Sequence, residues 1–236
     1  VWIAGGCVVF FFTQLIATYT WASRNALYAP KRGQGLGYVL ALSSRVGDIV
    51  ERGSVGELPE CWITMPWAPL RRLPCGARRV DVRALLSKKE LWRAFLDAMK
   101  ATYLLFRRKR TSKWVLQSYT AFRWFVVRAA VDKLPGRLVM AEHYDRWAVL
   151  VDSSVRASNK YVLSSGVVQS RELVLIQHGV LGDLRSSGAT ELDALKLPRK
   201  LGAVADLYVY GTGAEQAFKR DVLTEGCVRR GLKVHY

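Results

Sequence analysis

The residues of this chain best suited to chemistry stand at the end of an apolar run, Glu172-Leu173-Val174-Leu175-Ile176-Gln177-His178-Gly179. Residues 173–176 are consecutive branched apolar residues with no polar alternation, the pattern of a strand buried on both faces of a parallel sheet. Gly179 ends the run. Ligands of open α/β sheets bind beyond the carboxyl ends of the strands, and an imidazole there can take a proton near neutral pH. Taken alone, His178 reads equally well as a satisfied polar residue in a strand-to-loop turn.

Two further junctions have the same form. Leu138-Val139-Met140-Ala141 reads as a strand ending at Glu142-His143, and Ala205-Asp206-Leu207-Tyr208-Val209-Tyr210 as a strand ending at Gly211-Thr212-Gly213. If the three strands are parallel in one sheet, their junctions share an edge. That edge would carry the Glu142 carboxylate, the imidazoles of His143 and His178, and a glycine-flanked helix start, with Thr212 and Glu215 as a capping box. Such a helix N-terminus receives a phosphate or a sugar hydroxyl. Alone, Gly211-Thr212-Gly213 is an ordinary capped turn; on a shared edge the three junctions can form one cleft. Activated-sugar transfer needs little more than a general base and positive charge facing the leaving nucleotide phosphate. His178 is the candidate base or an acceptor-orienting group, with Glu142 or His143 assisting. Gln177, Gly179, Arg185, Gly211, Thr212 and Gly213 are the candidate substrate contacts, with Arg185 aimed at phosphate.

The elements that must position these groups follow from period and punctuation. Residues 61–67 and 78–82 read as strands. Ser87 and Glu90 form a capping box for a helix carrying Leu91, Phe95, Ala98, Met99, Thr102 and Leu105 at helical spacing. The basic turn Arg107 to Lys113 leads into a second helix with Tyr119, Phe122, Phe125 and Val126, stopped by Pro135-Gly136. Residues 144–157 read as a helix between the first two junction strands. The whole is α/β with a parallel sheet and flanking helices. Upstream, Gly33-Gln34-Gly35-Leu36-Gly37 has the look of a phosphate loop, but no strand precedes it and no Lys-Ser or Lys-Thr follows. Residues 38–52 place Val39, Leu42, Val46, Ile49 and Val50 near one helical face and read as an amphipathic helix. Trp62 and Trp67, beside Arg71 and Arg72, suit stacking on a base or sugar, although core packing is the commoner use of such residues.

Residues 2–21 carry no charge, a length that lets a helix cross a bilayer, and Arg24, Lys31 and Arg32 follow it. By the positive-inside tendency the remainder lies in the cytoplasm; a buried helix of a globular domain is the alternative. The expected organisation is an anchor over 1–22, a basic linker and amphipathic helix over 23–60, an α/β domain over 61–225 with a helical insertion at 87–134, and an incomplete tail over 226–236. The chain begins at Val1 rather than Met, which suggests a fragment.

Half of the 236 residues are apolar, enough for a sizeable core. Thirty-six Lys and Arg against nineteen Asp and Glu give a formal charge of +17, suited to polyanionic surroundings. The basic cluster at residues 107–113 suits anionic lipid. No reading module for nucleic acid accompanies the charge, so no nucleic-acid partner is expected. The four cysteines form no C-x-x-C pair and have no histidine at metal-ligand spacing, so neither a metal site nor a disulfide framework is expected.

The strand at 173–176 with Gln177-His178-Gly179, preceded by Leu138 to Tyr144 and followed by Asp206 to Gly211, resembles bacterial surface-polysaccharide glycosyltransferases of the two-Rossmann (GT-B) type. The likeness extends to capsule-biosynthesis and teichoic-acid glycerophosphotransferase-like proteins, and it covers residues 135–225. It implies a Rossmann-like sheet forming the first half of a GT-B fold. It also implies a catalytic role for His178, a nucleotide-activated sugar or CDP-polyol as donor, and a lipid-linked or polysaccharide acceptor at the cytoplasmic face of the inner membrane. No bound cofactor is implied. Members of that architecture have a second Rossmann domain holding the donor, so this chain is expected to carry mainly the acceptor-side half. A reading of a different class is a basic module without catalysis that binds anionic membrane lipid.

Overall fold

A computed structural model describes residues 9, 12–13, 15–21, 28, 37–43, 59, 61–68, 70, 73–109, 118–141, 146–165, 171–176, 201–209, 215–216, 219 and 233–235. The strands are β1 (Gly37–Ala41), β2 (Cys61–Thr64), β3 (Arg78–Asp81), β4 (Arg137–Met140), β5 (Glu172–Ile176), β6 (Val204–Tyr208) and β7 (Lys233–His235). The helices are α1 (Lys88–Lys109), α2 (Ser118–Val131) and α3 (Arg146–Ser165). The chain divides into a sheet unit, Lys31–Val80 with Leu134–Tyr236, and a helical unit, Val1–Pro30 with Asp81–Lys133.

In the sheet unit the strands lie in the order β3-β2-β1-β4-β5-β6-β7. The pairings of β2 with β1, β1 with β4, and onward through β7 are all parallel. The chain starts in the middle, builds outward to β3, and returns beside β1 as β4. That is the doubly wound, Rossmann-like order, with the reversal between β1 and β4. Burial on both faces explains the sequence: Leu173, Val174, Leu175 and Ile176 are each 0 % exposed. One face gathers Val39, Ala41, Trp62, Val139, Ala141, Val174 and Ile176 into a single cluster. Alternation sends Leu40, Ile63, Leu138 and Met140 to the other face, where they are equally buried.

The structure departs from the sequence reading at both ends of the sheet unit. The amphipathic helix expected from Tyr38 gives way to β1, an interior strand of the sheet. Tyr38, Val39, Leu40 and Ala41 are all buried, so the run is apolar on both faces rather than on one helical face; residues 44–52 lie outside the described residues. Gly37 opens β1, so the glycine run enters this strand at its amino end, the edge away from ligand chemistry in such sheets. A Cβ on Gly37 would meet Pro59 Cγ at 2.8 Å and the Arg137 carbonyl at 3.3 Å, which ties the missing side chain to close packing. The tail is the second departure. Residues 233–235 form β7, which pairs with β6, so the terminal segment contributes a strand to the sheet.

Helix α3 fixes the approach to β5 and β6 through two polar clamps. Asn159 Nδ2 donates to the Arg171 carbonyl at 2.9 Å while its Oδ1 accepts from Arg171 N at 2.8 Å, just before β5. Asp152, 0 % exposed, accepts from Ala203 N at 2.6 Å just before β6, and its other oxygen lies 2.8 Å from Arg156 Nε. The helix read from the sequence over 144–157 extends in the structure to Ser165.

In the helical unit the expected capping box is formed. Ser87 N and Ser87 Oγ each donate to Glu90 Oε2 at 2.7 Å, and Glu90 N donates to Ser87 Oγ at 3.3 Å. Lys133 Nζ, just after α2, donates to Glu90 Oε2 at 2.6 Å and to the Leu85 carbonyl at 2.9 Å, closing the two helices at one end. Leu91, Phe95 and Ala98 of α1 and Phe122, Val126 and Ala130 of α2 are buried in this pair.

The expected bilayer-spanning helix over residues 1–22 is not supported. Among the described residues no helix is long and apolar enough to cross a membrane. Residues 15–21 are helical, but Thr18 and Trp21 are buried, and Trp21 stacks on Phe122 at 5.3 Å with the Arg83 guanidinium 5.7 Å from its ring. That side of the helix packs on protein.

Two outcomes follow. Asp152→Ala leaves Ala203 N–H without its acceptor and should lower the unfolding free energy by about 2–4 kcal/mol in urea denaturation. Arg156→Ala removes the cation beside this fully buried carboxylate and should cost about 1–3 kcal/mol. Burial pushes the Glu90 carboxyl up, but the hydrogen bonds from Lys133 and Ser87 outweigh it and hold the group below the ordinary glutamate value. A depressed carboxyl contributes stability that is complete above its unfolded value and lost as pH falls through its folded one. Stability measured against pH should therefore decline on acidification through and below the ordinary glutamate range, and Glu90→Gln should shrink that decline.

Candidate functional site at the carboxyl edge of the sheet

Parallel pairing puts the carboxyl ends of β4, β5 and β6 on one edge as neighbours. Met140 is in register with Leu175, and Ile176 with Tyr208. The outer two strands are two interstrand spacings apart, about 10 Å, a span that one small phosphorylated ligand can cover. The chain leaves β4 through Ala141, buried in the sheet cluster, and β6 through Val209, whose N–H donates to the His235 carbonyl at 2.8 Å. Glu142, His143, Gln177, His178, Gly179, Arg185, Gly211, Thr212 and Gly213 themselves lie outside the described residues. What the fold supplies is the common edge from which their segments depart. Just past the third junction, Glu215 and Lys219 form an ion pair one helical turn apart.

Next to this edge lies a polar group that the sequence reading passed over. Asp206 Oδ1 is 2.8 Å from His235 Nε2, and its Oδ2 is 3.4 Å from Arg137 Nη2. His235 ends β7 opposite Tyr208 and stacks on its ring at 4.4 Å, 12° from parallel. A carboxylate bonded to one imidazole nitrogen sets the ring's orientation. Here it also links β4, β6 and β7 by side chains. The signal was faint, because His235 sits in a three-residue strand and its partner lies 29 positions earlier.

Just past β2, Pro66 and Trp67 occupy a tight turn closed by the Met65 and Ala68 bridge. Trp67 stacks on Trp147, in the first turn of α3, with ring centroids 6.4 Å apart and 13° between planes. The pair joins the segment after β2 to the segment after β4, the strands on either side of β1. Of the two tryptophans considered for stacking on a base or sugar, Trp62 is core at 0 % exposure and Trp67 is engaged with Trp147. Arg71 and Arg72 lie outside the described residues.

The helical unit holds an open groove of about 410 Å³ between α1 and α2, lined by Glu90, Asp97 and Asp132 against Arg93, Arg128 and Lys133, over Ala94, Phe125 and Ala129. Its charges balance, and the Glu90 and Lys133 pair serves the helix cap. Among the described residues no group of three or more His, Cys, Asp or Glu is placed to hold a metal ion.

Removing the Asp206 carboxylate as Asp206→Ala should cost about 1–2 kcal/mol in denaturant unfolding, since a charge-assisted bond to His235 is lost in a mostly buried position. Arg137→Ala, whose contact is longer and whose side chain is about half exposed, should cost markedly less.

Comparison with family models, with curated proteins and with solved structures finds no match to this chain.

Proposed function

We propose that this chain is a glycosyltransferase-like protein of cell-surface polymer synthesis that passes a sugar or polyol phosphate from a nucleotide donor to a lipid-linked or glycan acceptor at the cytoplasmic face of a membrane. The observation that carries this reading is the shared carboxyl edge of β4, β5 and β6, followed in sequence by Glu142-His143, Gln177-His178-Gly179 and Gly211-Thr212-Gly213. Beyond this edge lies the general ligand position of doubly wound sheets. The chain's +17 charge suits both a nucleotide diphosphate and an anionic membrane.

In this reading His178 accepts the proton of the acceptor hydroxyl as its oxygen bonds to the donor's anomeric carbon, or to phosphorus when a polyol phosphate is transferred. The bond from that centre to the nucleotide's leaving oxygen breaks, and the electron pair departs with the nucleotide. Glu142 or His143 orients the base. Arg185 and the backbone N–H groups at Gly211 to Gly213 stabilise the leaving phosphate charge, the term that usually dominates such a barrier. The donor is substrate, not a resident cofactor.

The test is transfer by the full-length protein from a panel of UDP- and CDP-linked donors. His178→Ala should lower turnover by about 100-fold or more with the melting temperature unchanged. Turnover equal to the parent would remove His178 from the mechanism. Absence of both transfer and nucleotide binding across the panel would remove the reading itself.

A further inference from the structure

The exposed surface of α1 has an unusual composition. Its exposed charged residues are Lys88, Lys89, Arg93, Lys100, Arg107 and Arg108, all cations. The other exposed side chains described on this helix are Trp92, Leu96, Tyr103, Leu104 and Leu105, all large and apolar. Neither carboxylate of the helix is among the exposed residues: Glu90 is paired with Lys133, and Asp97 is partly buried and lines the groove against α2.

The arrangement is as specific as the composition. At the helical rotation per residue, Trp92, Leu96 and Tyr103 fall within about 40° of one another, opposite the buried Leu91, Ala94 and Ala98. Lys89, Arg93, Lys100 and Arg107 border this strip on one side and Lys88 on the other. Arg107 also lies over the Tyr103 ring, 5.9 Å from its centroid. An ordinary solvated helix face carries both signs of charge and few large apolar groups. This one fits a surface that is apolar within and anionic at its rim.

We propose that α1 is a membrane-docking helix that lies in the plane of an anionic bilayer. This rests on the membrane location contained in the reading above and names the surface responsible. Trp92, Leu96 and Tyr103 enter the boundary between headgroups and acyl chains. The surrounding lysines and arginines extend their charged ends to the lipid phosphates. A second copy of this face would set like cations against each other. Nucleic acid accounts for the cations and aromatic rings but leaves Leu96 and Leu104 without a role.

The experiment is co-sedimentation of the full chain with vesicles of phosphatidylcholine alone or mixed with phosphatidylglycerol, over a range of salt. Binding should require phosphatidylglycerol. Leu96→Ser with Tyr103→Ser should weaken it by about tenfold or more at every salt concentration. Lys89→Gln with Lys100→Gln should weaken it at low salt by roughly fivefold per cation removed. Brominated lipid should quench tryptophan emission, and Trp92→Phe should remove part of that quenching. All these positions are exposed, and unchanged melting temperatures would verify that the variants fold. The proposal is overturned if the protein stays in the supernatant with anionic vesicles, or if the apolar variant binds as the parent does. It is equally overturned if the substitutions abolish self-association or RNA binding and leave vesicle binding intact. Partition is measured without donor or acceptor. A chain that transfers but does not bind vesicles therefore loses only this proposal, and one that binds but does not transfer loses only the catalytic reading.

Discussion

The constraint on which the sheet unit depends is parallel pairing. Parallel neighbours cannot be joined by tight turns, so each must be reached by a crossover that covers one face of the sheet. The inner strands β1, β4 and β5 are therefore buried on both faces, and the carboxyl ends of the paired parallel strands lie on the same edge. The near-zero exposure from Val39 to Ala41, Leu138 to Ala141 and Leu173 to Ile176 is the first consequence. The alignment of the strand ends that precede residues 142, 177 and 210 is the second. One physical requirement supplies both the core and the shared edge.

Polar clamps hold that arrangement where apolar packing is indifferent to register. A strand buried on both faces loses little by sliding two residues, because its side chains return to the same faces. Asn159 against the Arg171 backbone and Asp152 against Ala203 N remove that freedom at the starts of β5 and β6. Asp206, bonded to His235 and near Arg137, does the same across β4, β6 and β7. The Asn159 and Asp152 clamps lie at strand starts, at the opposite end of β5 and β6 from their carboxyl edge, whereas the Asp206 and His235 pair lies next to that edge.

The helical unit follows a different logic. Its pair of helices is joined by apolar faces and by one polar knot in which Ser87, Glu90, Lys133 and the Leu85 carbonyl satisfy one another. With that side of α1 committed inward, the opposite side collects cations and large apolar groups together. Neither solvent nor a protein core explains that mixture, whereas a lipid–water boundary accommodates both.

The sequence by itself determined the elements whose pattern is complete within one segment. β4, β5, β6 and α1 through α3 could be read because a run of buried residues, a helical period or a capping box is local information. The Ser87 and Glu90 box is formed as its spacing requires. Only the tertiary structure decided the rest. β1 carries an apolar pattern that fits a helix wheel as well as a strand, and pairing with both β2 and β4 settles it as an interior strand. β7 is three residues long and exists because β6 offers it an edge. Trp67 meets Trp147, and Asp206 meets His235, across separations that no local period encodes. The residues around His178 were legible as the end of a buried strand; that this end shares an edge with its two neighbours follows from hydrogen bonding between strands remote in sequence.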